Sequence, residues 1–146
     1  MESRVEKAVE LHKSGCNCAQ AVFVSYADIF GISREQAMQL TTPFGGGLAG
    51  MRYMCGTVNA MAMIAGLHGG VTSPDDKARK KDNVDMVRMM ADEFRAANGS
   101  LICAQLRGFE PGLPDGVTPK PCSEYVRTSA LLIEKYLLTK QIGNSK

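Results

Sequence analysis

The sequence predicts an all-α, single-domain helical bundle, and three observations carry that prediction. Apolar residues recur at three- and four-residue spacing along most of the chain. The stretches so patterned open at Asn, Ser or Pro and close at Gly, the residues that start and stop helices. No window shows strict apolar/polar alternation between hairpin turns, the pattern of a half-buried strand.

The first helix is expected over residues 3–13, with Val5, Ala8, Val9 and His12 on one face and Gly15 as its stop. Asn17 caps a second helix over residues 17–30, striped by Ala19, Val22, Phe23, Tyr26 and Phe30 and closed by Gly31. Ser33-Arg34-Glu35-Gln36 is a capping box for a short third helix that ends near Leu40. Residues 41–50 then place four glycines, Gly45, Gly46, Gly47 and Gly50, in a six-residue span. Such a loop suits close backbone approach to a site or to another helix. It lacks the Gly-Lys-Ser/Thr ending and the preceding strand of a phosphate loop.

A fourth helix, over residues 52–67, is apolar on most sides and is expected to be the central one. Ser73-Pro74-Asp75-Asp76 reads as Ser N-cap, Pro at the first helical position and acids at the positive end. The helix it starts is expected to reach Asn98, with Val84, Val87, Met90, Phe94 and Ala97 inward. Gly99 ends it, and Ser100 caps a short segment through Leu106. Residues 108–121 hold four prolines and read as a loop. The last helix, over residues 122–140, turns Val126, Ala130, Ile133 and Leu137 inward. Leu131, Leu132 and Leu138 flank that stripe, and this second apolar face leads us to expect a homodimer.

The chain has 146 residues, enough for one domain with a real core, and residues 1–146 are read as that domain. Its 45% hydrophobic and 22% charged composition is that of a folded globular protein. A net charge of +2, with Lys77, Arg79, Lys80 and Lys81 interrupted by Asp75, Asp76 and Asp82, argues against a nucleic-acid partner. The most apolar run, residues 58–67, is too short to span a bilayer and contains Asn59, so no membrane insertion is expected. The first residues mix both charge signs without the apolar centre of a signal peptide, and the expected location is the cytoplasm. Most of the nine methionines fall at apolar helix positions and read as core filling.

Five cysteines, Cys16, Cys18, Cys55, Cys103 and Cys122, are many for such a chain, and their odd number argues against a fixed disulfide framework. No pair has C-x-x-C spacing, so any shared site is assembled by the tertiary fold. Cys18, Cys55, Cys103 and Cys122 each fall in or near the first turn of a predicted helix. There the unsatisfied N–H groups and the helix dipole favour a thiolate, the form that attacks disulfides and binds metals. Arg52 and Arg107 lie close in sequence to Cys55 and Cys103 and add positive potential. With only His12 and His68 present, a His-rich metal site is not expected; His12 reads as a packing residue and His68 as an exposed helix end.

The segments Gly15-Cys16-Asn17-Cys18-Ala19-Gln20-Ala21-Val22 and Cys55-Gly56-Thr57-Val58-Asn59-Ala60, with the glycine loop leading to Arg52 between them and Cys103 and Cys122 after, resemble the C-GCAxxG-C-C family. That family is described as redox-active proteins of about this size marked by four cysteines. The resemblance covers nearly the whole chain and implies that Cys18, Cys55, Cys103 and Cys122 are the family cysteines, with Cys16 extra. Thr57 and Ala60 depart from it, standing where the family has Ala and Gly. The fold also looks similar to the iron–sulfur-bearing N-terminal part of split-Soret cytochrome c, which would imply a [2Fe–2S] cluster.

Three readings follow. In the first, the four cysteines converge to hold an iron–sulfur cluster or another thiophilic metal for electron transfer. In the second, Cys18 and Cys55 are the catalytic pair of a metal-free thiol–disulfide oxidoreductase or redox sensor. In the third, the four thiolates close a structural zinc site. The redox partner is left unnamed by all three.

Overall fold

The computed structural model describes residues 1–143. Within them the chain is all helical, with no strand and one isolated bridge between Met54 and Ile102. The helices are α1 (Val5–Lys13), α2 (Cys18–Ala27), α3 (Arg34–Thr41), α4 (Gly56–Gly69), α5 (Lys77–Asn98), α6 (Cys103–Leu106), α7 (Cys122–Leu137) and α8 (Thr139–Gly143). Short 3-10 turns follow α2 at Asp28–Phe30 and α3 at Thr42–Phe44.

The central helix is α2, not the fourth helix as expected. Every residue from Ala19 to Ala27 is buried, because α2 packs against α1, α3, α4 and α7 at once. Asn17 starts it with a full capping box: its side chain accepts from Gln20 N–H at 2.8 Å, and Gln20 Oε1 accepts from Asn17 N–H at 3.0 Å. The spare amide protons then tie in the next segment. Asn17 Nδ2 donates to the carbonyls of Thr41 and Thr42, and Gln20 Nε2 donates to that of Met38. The N-terminus of α2 is thereby bolted to the loop that leads into the glycine run.

The fourth helix begins at Gly56 rather than at residue 52. Residues 46–53 instead close a tight turn, with Arg52 N–H donating to Gly46 O at 2.9 Å and Tyr53 N–H to Gly47 O at 2.8 Å. Leu48, Ala49 and Arg52 take the left-handed conformation there, and they are the non-glycine residues that do so among those described. The chain then lies beside the start of α6, with Cys55 N–H donating to Leu101 O at 2.8 Å and Cys103 N–H to Tyr53 O at 2.6 Å.

The long helix α5 starts later than Ser73. Ser73-Pro74-Asp75-Asp76 forms a turn, with Asp76 N–H reaching back to Ser73 O, and Asp76 is the cap that accepts from Arg79 N–H. Met90 and Phe94 are fully buried as expected and Val87 is half-buried, but Val84 and Ala97 face solvent. The Lys77–Lys81 cluster is exposed throughout. Of the methionines, Met61 and Met90 are fully buried, whereas Met51 and Met89 are exposed.

The inward stripe of α7 is as expected, with Val126, Ala130, Ile133 and Leu137 all buried. A buried polar link joins three elements here: Tyr26 Oη donates to Glu134 Oε2 at 2.5 Å, and Arg4 N–H donates to the same oxygen at 2.8 Å. The helix breaks at Leu138, before residue 140, and α8 continues the chain. Leu132 and Leu138 are buried in the chain's own core, and only Leu131 faces out. This removes two of the three residues on which the expectation of a homodimer rests.

A candidate thiol centre at four helix starts

The backbone places four cysteines where the helix-start reading puts them. Cys18, Cys103 and Cys122 are the first residues of α2, α6 and α7, and Cys55 is the N-cap of α4. Packing seats Cys18 Sγ against Gly56, the first residue of α4, and ties the start of α6 to residues 53–55 through Cys103 N–H to Tyr53 O and Cys55 N–H to Leu101 O. Cys18 lies within electrostatic reach of Cys122, Cys103 and Cys55. All five cysteines are free thiols, with Cys55 and Cys103 buried and Cys16, Cys18 and Cys122 half-buried. Cys16 lies just before the Asn17 cap of α2, and its carbonyl is paired with His12 Nδ1 at 3.0 Å. His68 is exposed at the end of α4, edge-on to Phe30.

Two glycines allow the sulfurs to approach backbone. A methyl group at Gly56 would stand 2.9 Å from Cys18 Sγ and 2.6 Å from Phe44 O. Gly47, at φ +69°, lies against Cys103, where a methyl group would stand 2.6 Å from its Cβ. The glycine run therefore wraps the site, as its composition suggests. It also lends a donor, since the Gly46 N–H favours the ionised form of Cys18.

The electrostatics depart from the helix-start reading. Burial raises the Cys18 pKa above the ordinary thiol range, and the neighbouring Cys122 raises it further. The N–H groups of Gly46 and Ala19 pull the other way without prevailing. At Cys55, burial first and then Cys18 push the pKa up to about 12. The opposing groups are the Thr57 hydroxyl, 3.1 Å from Cys55 Sγ, and the N–H groups of Thr57 and Val58. The dipole of a helix start contributes roughly 0.3–1 kcal/mol, less than one pKa unit, so desolvation by a packed bundle outweighs it.

Three residues of this centre escape a reading for reactive side chains. Thr57 stands out in sequence only as a departure from the family pattern, yet its hydroxyl touches a sulfur. Gly56 is the residue against which Cys18 packs. Tyr125, one turn into α7, is buried; its pKa is raised by burial and, to a lesser degree, by Cys122 and Cys55. Its hydroxyl donates to Leu106 O at 2.7 Å and accepts from Lys120 N–H at 2.9 Å, which joins the end of α6 to the approach to Cys122. Of the two flanking arginines, Arg52 Nη1 donates to Cys103 Sγ at 3.7 Å, while Arg107 is exposed.

Four thiolates are a suitable donor set for a [2Fe–2S] cluster or a zinc ion. Among the described residues, however, no three of the Cys, His, Asp and Glu side chains are grouped so as to hold a metal ion. A separate apolar groove of ≈ 460 Å³ opens between Phe23, Ile32, Leu40, Phe44, Met63 and Leu67, and no cysteine lines it. Among the described residues, no helix is long and apolar enough to cross a membrane.

Comparison with known proteins agrees with the four-cysteine pattern. No curated protein and no solved structure matches the chain. A family model described as "Putative redox-active protein (C_GCAxxG_C_C)" matches residues 16–136, a span that contains all five cysteines and the starts of α2, α4, α6 and α7. The chain belongs to the C_GCAxxG_C_C redox-active protein family.

Proposed function

We propose that the protein is a thiol–disulfide redox protein in which Cys18 and Cys55 form the working pair. The observation that carries this reading is the seat of Cys18 Sγ against Gly56, the first residue of α4 and the neighbour of Cys55, where an added methyl group would stand 2.9 Å from the sulfur. Cys18 is half-buried and Cys55 buried, so Cys18 is the attacking thiol and Cys55 the resolving one. Cys18, whose raised pKa leaves only a small ionised fraction, first gives its proton to water; the thiolate attacks one sulfur of an acceptor disulfide, forming a mixed disulfide and expelling one acceptor thiolate, which takes a proton from water. Cys55 then loses its proton and attacks the Cys18 sulfur. The Cys18–Cys55 disulfide forms and the second acceptor thiol leaves. Two electrons and two protons pass from the protein to the acceptor.

The test is a thiol count on reduced, anaerobically purified protein before and after treatment with a small disulfide, followed by peptide mapping. The expected result is the loss of two thiols and a linked Cys18–Cys55 peptide, reversed by dithiothreitol. Stoichiometric bound iron or zinc, with four thiols released only after chelation, would replace this reading with a metal centre.

A further inference from the structure

The surface beside Cys103 has an unusual make-up. Two segments form it, residues 47–53 and residues 103–110, joined by the hydrogen bond from Cys103 N–H to Tyr53 O. Leu48, Met51, Tyr53 and Phe109 are all exposed there, the last two at 60%. The guanidinium groups of Arg52 and Arg107 lie over the Phe109 ring, at 4.8 and 5.6 Å from its centre. Among the described residues, neither arginine is in an ion pair. Glu110 is the acid of these two segments, so the two arginines leave them net positive. Arg52 also reaches Cys103 Sγ, so the patch is continuous with the thiols beneath it.

Each feature is costly for a surface with no partner. Large apolar side chains are exposed on both segments. Leu48, Ala49 and Arg52 hold left-handed backbone, which non-glycine residues seldom adopt. Arginine, aromatic residues and Met are the types enriched in protein interfaces, where cations select an acidic counterpart.

We infer that this patch is the docking surface for an acidic protein that exchanges electrons with the thiols. The inference rests on the thiol–disulfide reading above. Its occupant is a protein with an acidic rim around its own dithiol or disulfide. Such redox encounters are small and short-lived, which suits a compact patch held by two cations and four apolar side chains.

The test uses two disulfide-bridged peptides that differ only in a run of glutamates replaced by glutamines, with neutral hydroxyethyl disulfide as a third substrate. Reduced wild-type protein is expected to react about tenfold faster with the acidic peptide at low salt. That advantage should vanish at high salt, where exposed charges are screened. Arg107→Glu should abolish the preference and leave the rate with hydroxyethyl disulfide unchanged. Equal rates with the two peptides, or a preference that survives Arg107→Glu, would overturn the inference. If hydroxyethyl disulfide does not react at all, the exchange reading falls. Anisotropy of the labelled acidic peptide then decides docking alone: Arg107-dependent binding upholds it and its absence rejects it. A wild-type dimer that Arg107→Glu dissolves would give the patch to a second copy and overturn the proposal.

Discussion

One substitution at two positions of α4 tests how the thiol centre is packed. Gly56 and Gly66 both lie within the helix, and neither has a left-handed φ. At Gly66 an added methyl group meets nothing within 4 Å. Gly66→Ala should therefore stabilise the protein by about 0.4–1 kcal/mol, through helix propensity and a more restricted unfolded chain. At Gly56 the same methyl group falls 2.6 Å from Phe44 O, 2.9 Å from Cys18 Sγ and 3.2 Å from Ala19 Cβ. A carbonyl and the first residues of α2 cannot yield as a flexible side chain would. Overpacking of this kind costs roughly 1–3 kcal/mol, which exceeds the propensity gain. Gly56→Ala should thus destabilise by about 1–2 kcal/mol. The assay is urea denaturation of the reduced protein, with the slope checked for constancy so that a midpoint shift reads as stability. A stabilising Gly56→Ala would refute the close packing of Cys18 on α4, and with it the physical basis of the shared centre. Gly66→Ala guards against the objection that any alanine in this helix is harmful.

Other expectations follow from the same contacts. Thr57→Val removes the hydroxyl 3.1 Å from Cys55 Sγ. Reductive opening of a Cys18–Cys55 disulfide should slow about tenfold, since a hydrogen bond to a leaving thiolate contributes roughly 1.5 kcal/mol, and Thr57→Ser should restore the rate. The raised Cys55 pKa sets a pH dependence of stability. The folded state holds this proton more tightly than the unfolded chain, whose thiol titrates near 8.5. The stabilisation is complete below about pH 8.5 and is lost as pH rises toward about 12, at up to roughly 1.4 kcal/mol per pH unit. Denaturation across that window should show the slope in wild type and a shallower one in Cys55→Ala. Glu134→Gln should cost about 1–3 kcal/mol in the same denaturation assay, because the buried Tyr26 hydroxyl and Arg4 N–H both donate to that carboxylate.

Much of the backbone was legible because its signals are local. Asn17, Ser33, Gly31 and Gly99 mark helix ends by side-chain hydrogen bonding or left-handed backbone, and both act over a few residues. The reading failed where a local signal competed with tertiary contacts. Ser73-Pro74 suits a helix start and a turn equally well, and the turn forms because Asp76 supplies the cap. The sequence places the start of α4 too early because Leu48, Ala49 and Arg52 carry no mark of left-handed backbone, which tertiary pairing holds in place: Ala49 N–H donates to Pro43 O, Met51 N–H to Leu48 O, Arg52 N–H to Gly46 O, and Ala104 N–H to Arg52 O. Likewise Leu132 and Leu138 read as a second apolar face until the packing around α7 encloses them.

The direction of the thiol pKa shifts illustrates the same division more sharply. Position at a helix start is a one-dimensional property, and the local sequence marks it for all four cysteines. Desolvation is a three-dimensional property, and it governs the outcome. The two are linked here, because the convergence of four helix starts also buries them. Cys18 then faces other thiols whose ionisation discourages its own: Cys122 and, less strongly, Cys103 raise Cys18, and Cys18 raises Cys55. Replacing Cys122 by serine removes the larger of the two thiol charges acting on Cys18. Alkylation of Cys18 in reduced Cys122→Ser should therefore reach its midpoint at lower pH than in the reduced wild type. The measurement is mass-spectrometric labelling of the Cys18 peptide across pH in both proteins. A midpoint that does not move, or that rises, would show that these thiols do not share a field.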